Sequence, residues 1–260
     1  MCRLAAYIGA PCALEKVITL PPHSLIEQSQ ATTEAKLSVN GDGFGFAWYS
    51  DRVEPGLYRE VMPAWTDGNL LSLARTISSG LFLAHVRAST FGHVSRTNCH
   101  PFTHGRWSFM HNGQISNFAA VRRPLESLLS DELFALRNGN TDSELLFLLL
   151  LQLGLKRDPI GATRKLPDVI DSVCRSIKRN RYRMTCVMSD GVKLYAWRLS
   201  SDNHSPTLYI KQASGKEENT GVNTILASEP IDEDSSEWLA VEENCLVTVY
   251  NGLINCKTVH

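Results

Sequence analysis

The run LLFLLLLQLGL, Leu145 to Leu155, narrows the possible folds of this chain more than any other stretch. It is too short to cross a bilayer, which takes about twenty apolar residues, so it reads as a helix buried in protein. NTDSE ahead of it supplies the start, with Thr141 or Asp142 as the cap, and Gly154 supplies the stop. Burying such a helix needs a substantial core. A chain of 260 residues, 43% hydrophobic and 20% charged, has enough for one large core or two small ones.

Strands and helices are distributed unevenly around this helix. RLAAYIG, bounded by Gly9 and Pro11, reads as a buried strand, and the polar stretch from Pro21 to Asn40 reads as loop. NGDGFGFAWYS places three glycines before an aromatic strand from Phe46 to Tyr49; it lacks the strand-then-helix context of a phosphate loop. NLLSLARTISS has helical spacing with Asp67 or Asn69 as cap, LFLAHVRAST and WSFMHNGQI alternate as strands, and SNFAAVRRPLESLLSDELF is helical from Ser116 or Asn117. PDVIDSVCRSIKRN is a further helix with Pro167 near its first turn, and RSIKRNRYR reads as its solvated end. After residue 183 strands dominate: Asp190-Gly191 and Asn251-Gly252 sit between apolar segments as hairpin signals, and TLYIKQ and NTILAS add two more. Strands, then helices, then strands, with no disordered linker, argue for one α+β domain over residues 1–260.

A formal net charge of -1 gives no basic surplus for nucleic acid or an anionic membrane. MCRLAAYIGAPC is not a secretory leader. Seven cysteines with no CxxC pair imply reduced thiols in a cytoplasmic compartment and no structural zinc. His85, His93, His100, His104 and His111 invite a metal reading, but none forms a helical pair motif, and no metal or cofactor is assigned.

Between His85 and Asp142 polar residues gather in a pattern that chemistry explains better than solvation. Period-two alternation puts His85 and Arg87 on one face of an apolar strand. Taken singly, Asn112-Gly113 reads as a hairpin turn, Asp142 as a helix cap and Cys2 as a small buried hydrophobe. Together they supply complementary functions. A thiol at the second position gains an α-amine as its own base once Met1 is removed, with an ordinary pKa near 7.7 to 8.0. An Asn side chain beside a Gly N–H offers two oxyanion donors. Arg87 offers a bidentate cation for a carboxylate, and Asp142 an anion for an ammonium.

In this order, MCRL, NGDGFGFAWY, LAHVRAST, NCHPF, FMHNGQI and NTDSE resemble the class II glutamine amidotransferase domain, an N-terminal-nucleophile hydrolase; ILASEPI near residue 228 extends the likeness. The resemblance implies a four-layer αββα sandwich and hydrolysis of a γ-glutamyl amide by Cys2. It makes Asn112 and Gly113 the oxyanion hole, Arg87 the holder of the substrate α-carboxylate and Asp142 that of the α-ammonium. Thr90, His100 and His111 match positions that shape the pocket. RASTFG departs from synthase-fused relatives, with Ala88 and Phe91 where a tryptophan and a threonine–histidine pair are usual. The shorter architecture looks most like stand-alone members, which include an ergothioneine-pathway amidohydrolase and a glutathione-degrading amidotransferase-like subunit. The implied partner is therefore a small-molecule γ-glutamyl substrate. Three alternatives remain open: a glutaminase subunit serving a separate synthase subunit, a catalytically silent interaction protein, and a metal-dependent hydrolase.

Overall fold

A computed structural model describes residues 2–32, 34, 39–89, 92–175, 181–214 and 222–259. Two antiparallel sheets form its centre. The first runs in the order β11-β9-β10-β1-β4-β2-β3, from Leu239–Ala240 (β11), Tyr209–Ser214 (β9), Val222–Ala227 (β10), Arg3–Ala13 (β1), Ser78–Val86 (β4), Phe44–Trp48 (β2) and Gly56–Glu60 (β3). The second runs β13-β12-β8-β7-β6-β5, from Leu253–Thr258 (β13), Cys245–Tyr250 (β12), Leu194–Ser200 (β8), Tyr182–Ser189 (β7), Trp107–Ile115 (β6) and Phe102–His104 (β5).

Helices cover both outer faces. Glu15–Ile18 (α1), Leu25–Gln30 (α2) and Gly68–Thr76 (α3) lie on the first sheet, and their core joins Leu14, Leu25 and Leu70 to Ala5, Tyr7 and Phe82. Phe118–Glu126 (α4), Asp131–Ala135 (α5), Asp142–Gln152 (α6) and Pro159–Cys174 (α7) lie on the second, where Leu145 to Leu151 pack on Phe109, Met184 and Trp197. A third core between the sheets holds Leu4, Ala6, Leu81, Leu83, Met110 and Val187. The result is the expected four-layer αββα sandwich, and α6 lies buried from Asp142 through Leu151.

Local chemistry sets the boundaries. Thr141 caps α6 by accepting from the Glu144 N–H, and Asp67 caps α3 by accepting from Asn69 and Leu70. Asn251 and Gly252, with φ of 48° and 73°, make the two-residue β12–β13 turn. Four expectations change. The stretch from Pro21 to Asn40 contains α2, which Ser24 caps and which carries only Leu25 and Ile26 as its buried apolar pair. The helix read from Pro167 begins eight residues earlier, because Asp158 caps it and Pro159 occupies its first turn; residues 176–180 lie outside the described residues. The segment read as one helix from Ser116 is two, α4 and α5. Cys245 and Cys256 are joined by a disulfide across β12 and β13, so not all cysteines are free thiols.

Beside residue 2, Arg3 is fully buried and its Nε donates to Glu229 Oε1 at 2.7 Å. Both charges are out of water, so removing one strands the other. Glu229→Gln should cost about 3–5 kcal/mol, read as a drop in the urea unfolding midpoint. A shift below about 1 kcal/mol would mean that the pair behaves as a surface ion pair.

Candidate active site

Strand parity assigns the candidate residues to layers. On β1, Cys2 alternates with Arg3 and so shares the intersheet face with Leu4 and Ala6. On β4, His85 follows Leu81 and Leu83 on that face, with Arg87 next. On β6, Met110 faces inward, so Asn112 does too, whereas His111 faces α6 with Phe109. Asn112-Gly113 is thus not a hairpin turn: β6 runs straight through it, paired with Thr185 and Met184 of β7.

The motifs meet in space through specific contacts. The Ala88 N–H donates to Cys2 Sγ at 3.4 Å, and the thiol lies 3.5 Å from the Ala88 carbonyl. Arg87 donates from Nη1 to the Asp42 carbonyl at 3.3 Å and from Nη2 to Ser89 Oγ at 3.0 Å, while Asp42 Oδ2 accepts from the Ser89 N–H at 2.7 Å. His85 Nε2 donates to the His111 carbonyl at 3.3 Å, joining the two sheets next to Asn112. The His100 ring lies 4.1 Å from that of His85. Asn98 and Asn140 exchange two hydrogen bonds, of 2.8 and 3.0 Å, and so tie NCHPF to the start of α6. ILASEPI joins as well: Ser228 Oγ accepts from the Leu4 N–H, and Arg3 Nη1 donates to the Cys2 carbonyl at 2.8 Å.

Two features of this cluster are expensive for folding. Asn112 is fully buried, yet neither its Nδ2 nor its Oδ1 has a hydrogen-bond partner. A buried amide left unpaired costs about 1–3 kcal/mol, and such groups call for an explanation. Gly113 has φ of +148°, and a β-carbon there would collide with the Arg183 carbonyl. Only glycine lets β7 approach this closely.

Electrostatics favour neutral groups. Burial raises the Cys2 thiol above its ordinary value, opposed by the Ala88 hydrogen bond and by Arg87 and Arg3. The resting sulfur is therefore a thiol rather than a thiolate. Burial lowers His85 to about 3 and His100 well below its ordinary value, and it lowers His111 against the pull of Asp142. His111 is held as one tautomer: Nε2 donates to the Arg183 carbonyl at 3.3 Å and Nδ1 accepts from Ser143 at 2.9 Å. Between the ordinary 6.5 and about 3, the unfolded chain binds a proton that folded His85 does not, so stability falls as pH falls through that window. His100 and His111 act in the same direction. Each ring contributes up to about 1.4 kcal/mol per pH unit. Urea midpoints should drop between pH ~6.5 and pH ~4.5, and a midpoint that held or rose would contradict these neutral rings.

The predicted residues are not all brought to one spot. Cys2, Arg87 and Asn112 share the intersheet layer. Asp142 accepts from the Ile115 N–H at 2.8 Å and the Ser143 N–H at 2.9 Å, and it lines a cavity of about 380 Å³ with Gln114, Ser116 and Asn117. His111 touches α6 and β7 rather than the intersheet space, so it fixes the backbone ahead of Asn112. Thr90 lies outside the described residues. Sequence reasoning missed Asp42, although NGDGFG contained it, because it holds Arg87 through a main-chain carbonyl. It also missed Arg3 and Ser143. A cavity of about 510 Å³ lies away from these residues, at the opposite ends of β1 and β4, around Ile8, Gly80 and Gly252. Among the described residues no group of three or more His, Cys, Asp and Glu has metal-holding geometry, and no helix is long and apolar enough to cross a membrane.

A sandwich of this kind, its first strand led by a cysteine, is the fold of the N-terminal-nucleophile amidotransferases. The glutamine phosphoribosylpyrophosphate amidotransferase of B. subtilis superposes on 99% of this chain, using 49% of its own, with a TM-score of 0.64 at 15% identity, a likeness of fold. A glutamine aminotransferase class-II domain protein from Silicibacter pomeroyi superposes at TM-score 0.75 and 35% identity over 98% of both chains. Residues 8–213 match the family of class-II glutamine amidotransferases, and the chain belongs to it. Its relatives include the probable glutamine amidotransferase DUG3 of Saccharomyces cerevisiae, 44% identical over 58% of this chain and 45% of the yeast protein, so the match spans less than half of that relative. They also include the gamma-glutamyl-hercynylcysteine sulfoxide hydrolase of Mycolicibacterium smegmatis, 28% identical over 96% of both.

Proposed function

We propose that this chain, acting as one domain, is a γ-glutamyl amidohydrolase that releases glutamate, with Cys2 as nucleophile after removal of Met1. The observation that carries the reading is the unpartnered Asn112 amide, buried on the same layer as the thiol. An oxyanion formed there would satisfy it. In the reaction the α-amine of Cys2 takes the thiol proton as sulfur attacks the γ-carbonyl carbon, and Asn112 Nδ2 and the Gly113 N–H receive the oxyanion. The leaving amine departs with that proton. Water then hydrolyses the γ-glutamyl thioester, freeing glutamate and restoring the thiol. Arg87 orients the substrate α-carboxylate and Asp142 its α-ammonium, while His100 shapes the pocket and His111 fixes the backbone ahead of Asn112.

The likeness to the hydrolase over 96% of both chains supports a large leaving group. The likeness to a probable glutamine amidotransferase supports a second reading, in which ammonia from glutamine passes to a partner subunit. Glutamate release from glutamine, glutathione and a γ-glutamyl sulfoxide separates them. Preference for the larger donors is expected; preference for glutamine favours the second reading, and no release from any donor overturns the first and leaves a required partner subunit or a catalytically silent fold.

A further inference from the structure

We infer that the cleft between α2 and the segment after β10 is a binding site for an alkylammonium or guanidinium group. It encloses about 340 Å³ and is lined by Glu27, Gln28, Glu34, Glu229, Asp232 and Glu233. Two of its carboxylates are already paired, Glu229 with Arg3 and Asp232 with Lys211. Glu27, Glu34 and Glu233 have no ion pair among the described residues, and Glu34 accepts from the Tyr209 hydroxyl at 2.8 and 3.0 Å. Acidic residues alone make no site, but Gln28 adds an independent requirement. It is 3% exposed, and its Nε2 donates to the carbonyls of His23 and Glu229, at 2.9 and 3.4 Å. Those two acceptors fix which end of the amide is nitrogen. Its Oε1 is then a buried acceptor with no donor. An acceptor of this kind among carboxylates calls for a ligand with both positive charge and N–H groups.

The cleft lies beside residue 2, on the outer face of the first sheet. The Arg3 guanidinium spans the gap, touching the Cys2 carbonyl with one nitrogen and Glu229 with another. The ligand is either free amine or the far end of a γ-glutamyl leaving group that passes the end of β1 from the intersheet face, the second of which rests on the proposed activity.

The test titrates the full chain with n-butylammonium and with n-butyltrimethylammonium, followed through the Gln28 side-chain amide by NMR. The two cations have equal charge, but only the first has N–H donors. Butylammonium should bind at least about tenfold more tightly, as expected for one hydrogen bond to a charged donor. Glu27→Gln combined with Glu233→Gln, both surface changes, should weaken it at least about fivefold. Equal binding of the two cations, no binding, or binding unchanged in the double variant overturns the site. A second arm compares glutamate release from γ-glutamyl-(4-aminobutyl)amide and γ-glutamyl-butylamide. A preference for the first that the double variant abolishes identifies the leaving group as the ligand's source, and equal turnover with butylammonium still bound identifies free amine. Should neither amide be cleaved, the catalytic reading fails while the titration still decides the cleft.

Discussion

Protein that carries one additional residue before Cys2, or that retains Met1, should release glutamate at a rate about 10² to 10⁴ lower than protein beginning at Cys2. The reason is the state of the thiol. Burial holds it protonated, and among the described residues the groups hydrogen-bonded to its sulfur are the N–H and carbonyl of Ala88, neither of which can take a proton. His85 and His100, the imidazoles packed at this end of the intersheet layer, are kept neutral and weakly basic by burial. An α-amine with an ordinary pKa near 8 is the base the layer lacks. Acylating that amine turns it into an amide and removes the base while leaving the sulfur in place. Cys2→Ala should lose more, on the order of 10⁴-fold or beyond. Mass spectrometry of the amino terminus beside each rate makes the comparison exact in composition. Full activity in the extended protein would assign the proton transfer to another group.

Asn112→Ala should lower kcat by about a hundredfold to a thousandfold, the usual cost of one oxyanion donor, and leave stability unchanged or raised. That pairing of effects is what sets this side chain apart. Most buried polar residues hold the fold through hydrogen bonds, so truncation destabilises. Asn112 has none to lose. Its truncation relieves an unsatisfied amide at the expense of a cavity, and the two partly cancel. Steady-state kinetics with thermal unfolding on the same samples reads both. A raised KM with kcat intact would place Asn112 in ground-state recognition, and a large loss of stability would mean that its amide is bonded in the native protein.

Much of this was legible in the chain. LFLAHVRAST and WSFMHNGQI read as strands because both bury both faces and so carry near-continuous apolar runs, and Thr141 is a cap that any helix of that composition would use. Pro167 misled because proline is common in a first turn, and the true first turn, at Pro159, has its own proline and an aspartate cap. The helix at Leu25 was hidden because two apolar residues in six make no period. The separation of His111 from Asn112 onto opposite faces follows from alternation alone, once the strand is known to continue through Gly113. Asp42 was beyond reach, since it serves Arg87 through a main-chain carbonyl and the distant Ser89 N–H through Oδ2, contacts that no spacing in the sequence encodes.

The hydrogen bond from His85 to the His111 carbonyl joins strands of different sheets. Cys2 and Arg87 ride on one sheet, Asn112 and Gly113 on the other, so the proposed active arrangement exists only while the two are docked in register. Neither half retains a partial site. On the proposed reading catalysis is an all-or-none reporter of assembly: heat inactivation and loss of tertiary structure should trace one curve, and recovered activity after refolding should count the molecules whose sheets have closed face to face.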